Sequence, residues 1–200
     1  MNRIVLALLA VGLGSAAQAQ VRPGLKAGGN LTRYAGDMNA ADVKNMLGFS
    51  GGFTLNAPLN SDGFFCVQPE LLYSQKGMKI VDDAMVQRLH YLDLPVLARI
   101  NADGFIFEAG PQLGYLLAQK QTVQDDALPG GYAESTDLSG YHRLDVGYVA
   151  GVGYQLANGL GLTLRYNGGL RNLPTAESGF TGARNSAFQL FAGYTFGGQR

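Results

Sequence analysis

Apolar and polar residues alternate along residues 104–117, the segment that shows the pattern of this chain most clearly. One set of positions is apolar throughout: Phe105, Phe107, Ala109, Pro111, Leu113, Tyr115 and Leu117. Apart from Ile106, the intervening set consists of Glu108, Gly110, Gln112, Gly114 and Leu116. Successive side chains of a strand point to opposite faces, so a period of two residues predicts a β-strand with one apolar and one polar face.

The same alternation recurs in eight segments, an even number as bacterial membrane barrels have. The predicted strands are 24–31, 47–56, 64–76, 89–100, 105–117, 144–156, 160–169 and 187–196. Several reach the ~9–11 residues that a tilted strand needs to cross a bilayer. The first predicted strand is short and has Pro23 at its start, where a missing N–H does least harm.

The connections between these strands alternate between short and long. Residues 60–63, 101–104 and 157–159 are rich in Asn, Asp and Gly, which tolerate the positive φ of tight turns. The longer, polar connections are 32–46, 77–88, 119–143 and 170–186. Outer-membrane barrels have short periplasmic turns and long external loops, so both termini are expected on the periplasmic side.

Alternation alone does not decide which face is outside, because a soluble lipocalin-like barrel also alternates, with its apolar face inward. In this chain the apolar face is almost free of charge on strand after strand, whereas the polar face is rich in glycine. Small residues suit the interior of an eight-stranded barrel, which is barely wide enough for its own side chains. The sequence therefore predicts an all-β fold: an eight-stranded, antiparallel, up-and-down transmembrane β-barrel.

The polar face also carries four charges of each sign. They are Lys26, Glu70, Lys76, Asp93, Arg99, Glu108, Asp145 and Arg165. A buried charge is tolerated only when it is paired and hydrogen-bonded, so we expect a neutral lumen charge network that argues against an open pore. The alternative is that some of these charges lie at the rims in water, and for Lys76 both positions remain open.

Aromatic residues gather at both ends of the apolar face, as the two interfaces of a membrane barrel require. The predicted aromatic girdle places Tyr73, Tyr115 and Tyr166 near the outer interface. It places Phe65, Phe105, Tyr154 and Phe196 near the inner one.

Residues 1–19 have the features of a cleaved signal peptide, with Arg3 before a short apolar stretch and a small-x-small site at 17–19. Cleavage after Ala19 would leave residues 20–200 as one barrel domain; an uncleaved N-terminal anchor is the alternative. Charged residues make up only 15% of the chain, against about a quarter in a typical soluble domain. A net charge of +0 gives no electrostatic case for nucleic-acid binding.

Candidate chemistry is sparse. Cys66 is the only cysteine, which excludes an internal disulfide, and it is expected as a small buried residue. The chain has two histidines, His90 and His142, and the spacing of Ser139, His142 and Asp145 is easily met by chance. We therefore expect no catalytic, cofactor-binding or metal site.

Acid pairs and a glycine-rich run complete the candidate motifs. Asp82-Asp83 and Asp125-Asp126 are expected to be solvated, because no spaced calcium-loop motif surrounds them. The glycines of 147–153 lie inside a strand pattern and lack the Lys-Ser/Thr of a phosphate loop.

Five stretches resemble the small outer-membrane β-barrel proteins called "porin family" or "outer membrane protein beta-barrel domain". They are residues 24–31, 68–77, 91–95, 109–114 and 145–153, of which Pro-Glu-Leu-Leu-Tyr-Ser-Gln-Lys-Gly at 69–77 is the most specific. The resemblance implies a single barrel in the Gram-negative outer membrane and no catalytic residues. Such barrels tend to end in an aromatic residue, and Phe196 fits, although four residues follow it.

Three function classes follow from these observations. The main one is a non-enzymatic, integral outer-membrane barrel with a plugged lumen and a structural or loop-mediated binding role. It would be delivered through the signal peptide, assembled by the barrel-assembly machinery and surrounded as a monomer by outer-membrane lipid. The alternatives are a small-solute porin or transport barrel and a soluble periplasmic lipocalin-like ligand-binding barrel.

Overall fold

The computed structural model describes residues 21–36, 43–80, 85–124, 131–173 and 182–197. The regular secondary structure of these residues is β-strand. The predicted signal peptide lies outside these residues. The strands are β1 (Arg22–Ala35), β2 (Val43–Lys44), β3 (Met46–Pro58), β4 (Phe65–Ile80), β5 (Met85–Ala102), β6 (Phe105–Gln124), β7 (Tyr132–Ser135), β8 (Leu144–Gln155), β9 (Leu160–Gly169) and β10 (Arg184–Thr195). In the described part of the chain no helix is long and apolar enough to cross a membrane.

Eight of these strands form a closed antiparallel barrel in the order β1-β3-β4-β5-β6-β8-β9-β10. The barrel closes between β1 and β10, which pair from Gly24↔Thr195 to Ala35↔Arg184. The short β2 leads into β3 and pairs with the end of β4, and β7 pairs with the end of β6. The predicted eight-stranded fold is confirmed.

Tight turns join the strands at the end where the N-terminus lies. Asp103 and Gly104 have φ of 49° and 90° in the turn between β5 and β6, and Gly159 has φ of 94° between β8 and β9. Asn158 Oδ1 accepts a 3.1 Å hydrogen bond from the backbone N–H of Leu160. The Asn, Asp and Gly residues of these segments thus form the turns for which such residues are suited.

At the opposite end the strands are longer than the sequence pattern predicted. β1 continues to Ala35, β5 begins at Met85 and β6 continues to Gln124, so the predicted loops 32–46, 77–88 and 119–143 are partly strand. The backbone ladder persists there, as in Met85↔Val123, although the side chains have lost their apolar alternation. Because both faces of a strand that extends beyond the bilayer can be polar, the period-two signal fades before the strand ends.

The two faces of the barrel differ in composition, as predicted. Outward-facing Phe107, Leu113 and Leu162 are 51%, 48% and 59% exposed, whereas Glu108 and Gln112 are buried inside. The barrel therefore exposes its apolar residues on the outside and packs polar residues within, which is the arrangement of a membrane barrel.

Candidate functional site

The lumen next to the short turns is filled by an inner ion-pair cluster, defined here as Lys26, Glu70, Glu108 and Arg165. Arg165 Nη1 donates a 2.7 Å hydrogen bond to Glu70 Oε2, and Arg165 Nη2 donates one of 2.7 Å to Glu70 Oε1. Arg165 Nε donates to Glu108 Oε1. Lys26 Nζ lies 2.7 Å from Glu70 Oε1. These two cations and two anions balance, so the barrel holds them without a net charge.

The absence of a side chain at Gly151 makes room for this cluster. A Cβ at Gly151 would lie 2.9 Å from Arg165 Cγ and 3.2 Å from Glu108 Oε1, so this position requires glycine. Phe191, which is 1% exposed, presents its ring to both cations. The ring centroid is 5.0 Å from Lys26 Nζ and 5.3 Å from Arg165 Cζ, within the range of cation–π attraction.

Arg99 lies beside this cluster but bonds to carboxamides. Its Nη1 donates to Gln68 Oε1 at 2.8 Å, its Nε to Asn101 Oδ1 at 2.8 Å and its Nη2 to Gln155 Oε1. A cavity of about 30 Å³ lies next to Lys26, Gln68 and Arg99. This is about the volume that one water molecule takes up in liquid water. Polar side chains thus fill this end of the barrel.

A second ionic group lies further toward the long loops. Lys76 Nζ is 3.0 Å from Asp93 Oδ2 and 4.8 Å from the centroid of the Tyr91 ring. Lys76 is 1% exposed, so of its two possible positions the structure shows the interior one. Asp145 accepts a 2.8 Å hydrogen bond from Asn185 Nδ2.

Asp93 and Asp145 flank Gly114 in the strand register. A Cβ at Gly114 would lie 2.7 Å from Asp93 Oδ1, so glycine provides the space for the carboxylate.

Of the residues predicted for the lumen network, the structure brings Lys26, Glu70, Glu108 and Arg165 into one cluster. It pairs Asp93 with Lys76, while Arg99 and Asp145 bond to neutral carboxamides.

The lumen at the long-loop end contains an outer apolar cluster that the sequence pattern did not predict. Its buried members are Tyr34, Met78, Leu89, Tyr91, Leu116, Leu173 and Ala183. Leu138 and Tyr141 pack against it from the segment between β7 and β8. Leu89, Tyr91 and Leu116 belong to predicted strands. The one signal in the sequence for the rest of the cluster was the presence of apolar residues in otherwise polar connections.

Backbone and side-chain hydrogen bonds hold the connections over this cluster. Leu173 donates its N–H to the Ala183 carbonyl at 2.9 Å and accepts from the His142 N–H at 2.8 Å. Tyr34 Oη donates a 2.7 Å bond to Gln87 Oε1, and Gln87 Nε2 donates to Tyr141 Oη. Burial raises the pKa of Tyr141, a residue of this external segment. The described parts of these connections are therefore held against the outer apolar cluster at the outer mouth of the barrel.

Comparison with known proteins identifies this architecture. Residues 16–174 match the family described as "Outer membrane protein beta-barrel domain". The chain belongs to that family. It is accordingly an integral protein of the outer membrane, with its apolar exterior in lipid.

Solved structures show the same fold at low sequence identity. Neisserial surface protein A has a TM-score of 0.52 and 14% identity, with 87% of this chain and 97% of that chain covered. Ail, the attachment invasion locus protein of Yersinia pestis, has a TM-score of 0.53 and 13% identity, with coverage of 88% and 98%. No curated protein matches the sequence significantly.

On the exterior of this outer-membrane barrel, the aromatic residues singled out from the sequence point outward. Phe65, Phe105, Tyr115, Tyr154 and Phe196 are exposed, and Tyr73 and Tyr166 are half-buried. The rings of Phe105 and Tyr154 pack edge to face at 5.1 Å near the short turns. Near the long loops, Tyr166 packs against Phe188 at 5.2 Å.

The residues of the candidate Ser-His-Asp set have separate partners. Ser139 Oγ donates a 2.6 Å hydrogen bond to Asp137 Oδ2, His142 Nδ1 lies 3.2 Å from Arg171 Nη2, and Asp145 bonds to Asn185 inside the barrel. Hydrogen bonds from the Ser139 hydroxyl and backbone N–H hold the pKa of Asp137 below its ordinary value.

The other candidate residues likewise have local partners or lie outside the structure. His90 Nδ1 is 2.5 Å from Tyr73 Oη, and Cys66 is buried with its thiol 3.4 Å from the Gly63 carbonyl. Within the described ranges, no group of three His, Cys, Asp or Glu side chains is placed to hold a metal ion. The acid pairs at 82–83 and 125–126 lie outside those ranges.

Proposed function

We propose that this protein is a non-enzymatic outer-membrane barrel that admits no solute and acts through its external surface, in a structural or loop-mediated binding role. The observation that carries the proposal is the filling of the lumen at two levels. The inner ion-pair cluster occupies one end and the outer apolar cluster the other. A solute would have to displace both.

Biogenesis follows from the same proposal. The signal peptide at 1–19 directs export and is removed after Ala19, and the barrel-assembly machinery inserts residues 20–200 as a monomer. The lumen charge network and the aromatic girdle then fix the barrel internally and at both interfaces.

The extension of the strands beyond the apolar belt supports an external role. β6 continues past its last apolar outward positions to Gln124, where it pairs with β7. This extension places a paired surface at the external end of the barrel, where the outer apolar cluster fills the lumen, whereas a transport barrel needs an opening there. Binding partners would meet this surface and the connections it carries.

Planar-bilayer recording of the refolded mature protein tests the closed lumen. We expect no steady nanosiemens-scale conductance. Reproducible large openings would favour the small-solute porin alternative. Each preparation should migrate differently on gels when boiled and unboiled, which confirms that a folded barrel was tested.

A further inference from the structure

Each of the eight barrel strands has one basic residue just beyond the outer end of its lipid-facing surface. We call these residues the basic ring: Arg33 on β1, Lys44 on β2 where it leads into β3, Lys79 on β4, Arg88 on β5, Lys120 on β6, Arg143 before β8, Arg171 after β9 and Arg184 on β10. They are the described Lys and Arg residues at the long-loop end that lie outside the lumen.

The ring lies directly at the border of the apolar surface. Arg143 precedes Leu144 and Arg171 follows Leu170, whose side chains are 46% and 60% exposed. Arg33 occupies the next outward position after Leu31, which is 41% exposed. Arg33, Lys44, Lys120, Arg143 and Arg184 are exposed, and the remaining three are half-buried. Long basic side chains at such a border keep their apolar stems on the barrel and their charges in the headgroup layer.

The opposite end of the barrel has no comparable set in the described part of the chain. Arg22 is the basic residue there, and the turns carry the acids Asp62 and Asp103. The outer end carries the eight positive charges of the ring and, among the described residues, the two acids Glu134 and Asp137.

We propose that the basic ring binds the phosphate groups of anionic lipids in the outer leaflet and thereby fixes the depth of the barrel. Five of its members are arginines, whose guanidinium groups can bind phosphate through paired hydrogen bonds. The charges are spread around the whole circumference, one for each barrel strand. One soluble polyanion would contact only part of such a ring, whereas a shell of lipids can contact all of it.

Groups of the chain itself compete with phosphate for the ring. Arg171 Nη1 donates a 3.2 Å hydrogen bond to the Leu144 carbonyl, and its Nη2 lies 3.2 Å from His142 Nδ1. Lys120 Nζ lies 2.7 Å from Glu134 Oε1, with both side chains about half exposed at 45% and 55%. An exposed pair of this kind contributes only ~0–1 kcal/mol, so it leaves Lys120 able to exchange its partner for a phosphate. The test must nevertheless separate lipid binding from neutralisation by the protein's own acids.

Single-tryptophan reporters provide that test, because the chain contains no tryptophan. Tyr115→Trp reports on the outer end, where Tyr115 pairs with Leu144 beside Arg143, and Phe105→Trp reports on the inner end. The full mature barrel is refolded into phosphatidylcholine vesicles that contain either brominated phosphatidic acid or brominated phosphatidylcholine. We expect the brominated phosphatidic acid to quench the outer reporter more strongly, while the two lipids quench the inner reporter equally.

Charge removal supplies the matched comparison. With the outer reporter, Arg143→Gln or Arg88→Gln should lower the relative affinity for phosphatidic acid by up to about fivefold each, the equivalent of about 1 kcal/mol per charge near a lipid surface. Arg22→Gln at the inner end should change nothing, and Arg143→Lys should retain most of the preference. If a variant fails to fold, raising the salt concentration on the reporter protein itself should remove the preference by screening.

Equal quenching of the outer reporter by both lipids would overturn the proposal and indicate that acids of the chain neutralise the ring. A preference that survives both Arg143→Gln and Arg88→Gln would overturn it too. Binding of polyphosphate from solution to the barrel in pure phosphatidylcholine, without any lipid preference, would assign the ring to soluble polyanions instead. None of these results depends on whether the lumen conducts, so this proposal and the proposed function fail separately.

Discussion

Removal of the Arg165 guanidinium is the perturbation that tests the inner ion-pair cluster most severely. Arg165→Met keeps an unbranched side chain of similar length but removes two hydrogen bonds to Glu70 and one to Glu108. Glu70 retains Lys26 at 2.7 Å. The second oxygen of Glu108, Oε2, accepts no hydrogen bond within the described structure, so Arg165 supplies the one bond this carboxylate has there.

The expected cost follows from leaving a carboxylate buried without its cation. Arg165 is 1% exposed and Glu108 4%, and breaking a buried ion pair by removing one partner costs roughly 3–5 kcal/mol. We therefore expect Arg165→Met to lower the free energy of unfolding by about that amount. Adding Glu108→Gln should recover part of the loss, because the second substitution removes the unpaired charge.

Reversible urea unfolding in vesicles, followed by the far-ultraviolet circular dichroism of the barrel, measures these differences. The control is Lys120→Met, which removes an exposed ion pair with Glu134 and should cost less than about 1 kcal/mol. An Arg165→Met barrel as stable as the Lys120→Met control would show that the Arg165 ion pairs do not stabilise the barrel. A further loss of stability on adding Glu108→Gln would show that no unpaired carboxylate was left.

Three further tests, each by substitution, probe the faces, the close packing and the mouth of the barrel. Leu113→Arg should cost ~2–4 kcal/mol if it lies near the bilayer midplane and less toward an interface, whereas Gln112→Arg joins a polar interior and should cost less; urea unfolding compares the two. Gly114→Ala places a Cβ 2.7 Å from a buried aspartate oxygen and should cost roughly 1–3 kcal/mol in the same assay. Gly29→Ala, with open space around its Cβ, should be near neutral. Leu173→Ala empties part of the outer apolar cluster, so hydrogen exchange should accelerate in residues 136–143 while the barrel strands stay protected.

Local sequence patterns were sufficient for the fold because a barrel strand has a simple period. The alternation from Phe105 to Tyr115 assigned both faces of β6 correctly, and the Asn, Asp and Gly residues at 60–63, 101–104 and 157–159 marked the tight turns. Each of these signals lies within one segment and needs no knowledge of the partner strand.

The pairing inside the lumen could not be read in the same way. Arg165 and Glu70 are 95 residues apart, and their contact depends on the stagger of the strands around the barrel. The charged positions predicted for the interior could be identified by alternation, but which carboxylate meets which cation could not. Arg99 shows that charge alone does not predict the partner of a buried side chain. Its hydrogen-bond partners are the neutral side chains of Gln68, Asn101 and Gln155.

The outer apolar cluster was missed for a related reason. Leu138, Tyr141 and Leu173 are isolated apolar residues in polar connections, without any period, and they meet only when two connections, β7–β8 and β9–β10, fold against the end of the barrel. Their burial is a property of the closed barrel and not of any one segment.

Spin labels on β6 show directly whether the barrel has its apolar face in lipid and a filled lumen, because relaxation probes reach a label only from lipid or from water. Cys66, the free cysteine, is first replaced by serine, and labels are then placed at Leu113 and Gln112 in the refolded protein. We expect lipid-dissolved oxygen to relax the label at Leu113, whereas the label at Gln112 should be shielded from both oxygen and a water-soluble nickel chelate. Nickel access at Gln112 would reveal an open water path, and a Leu113 label shielded from both probes would place the apolar face inside.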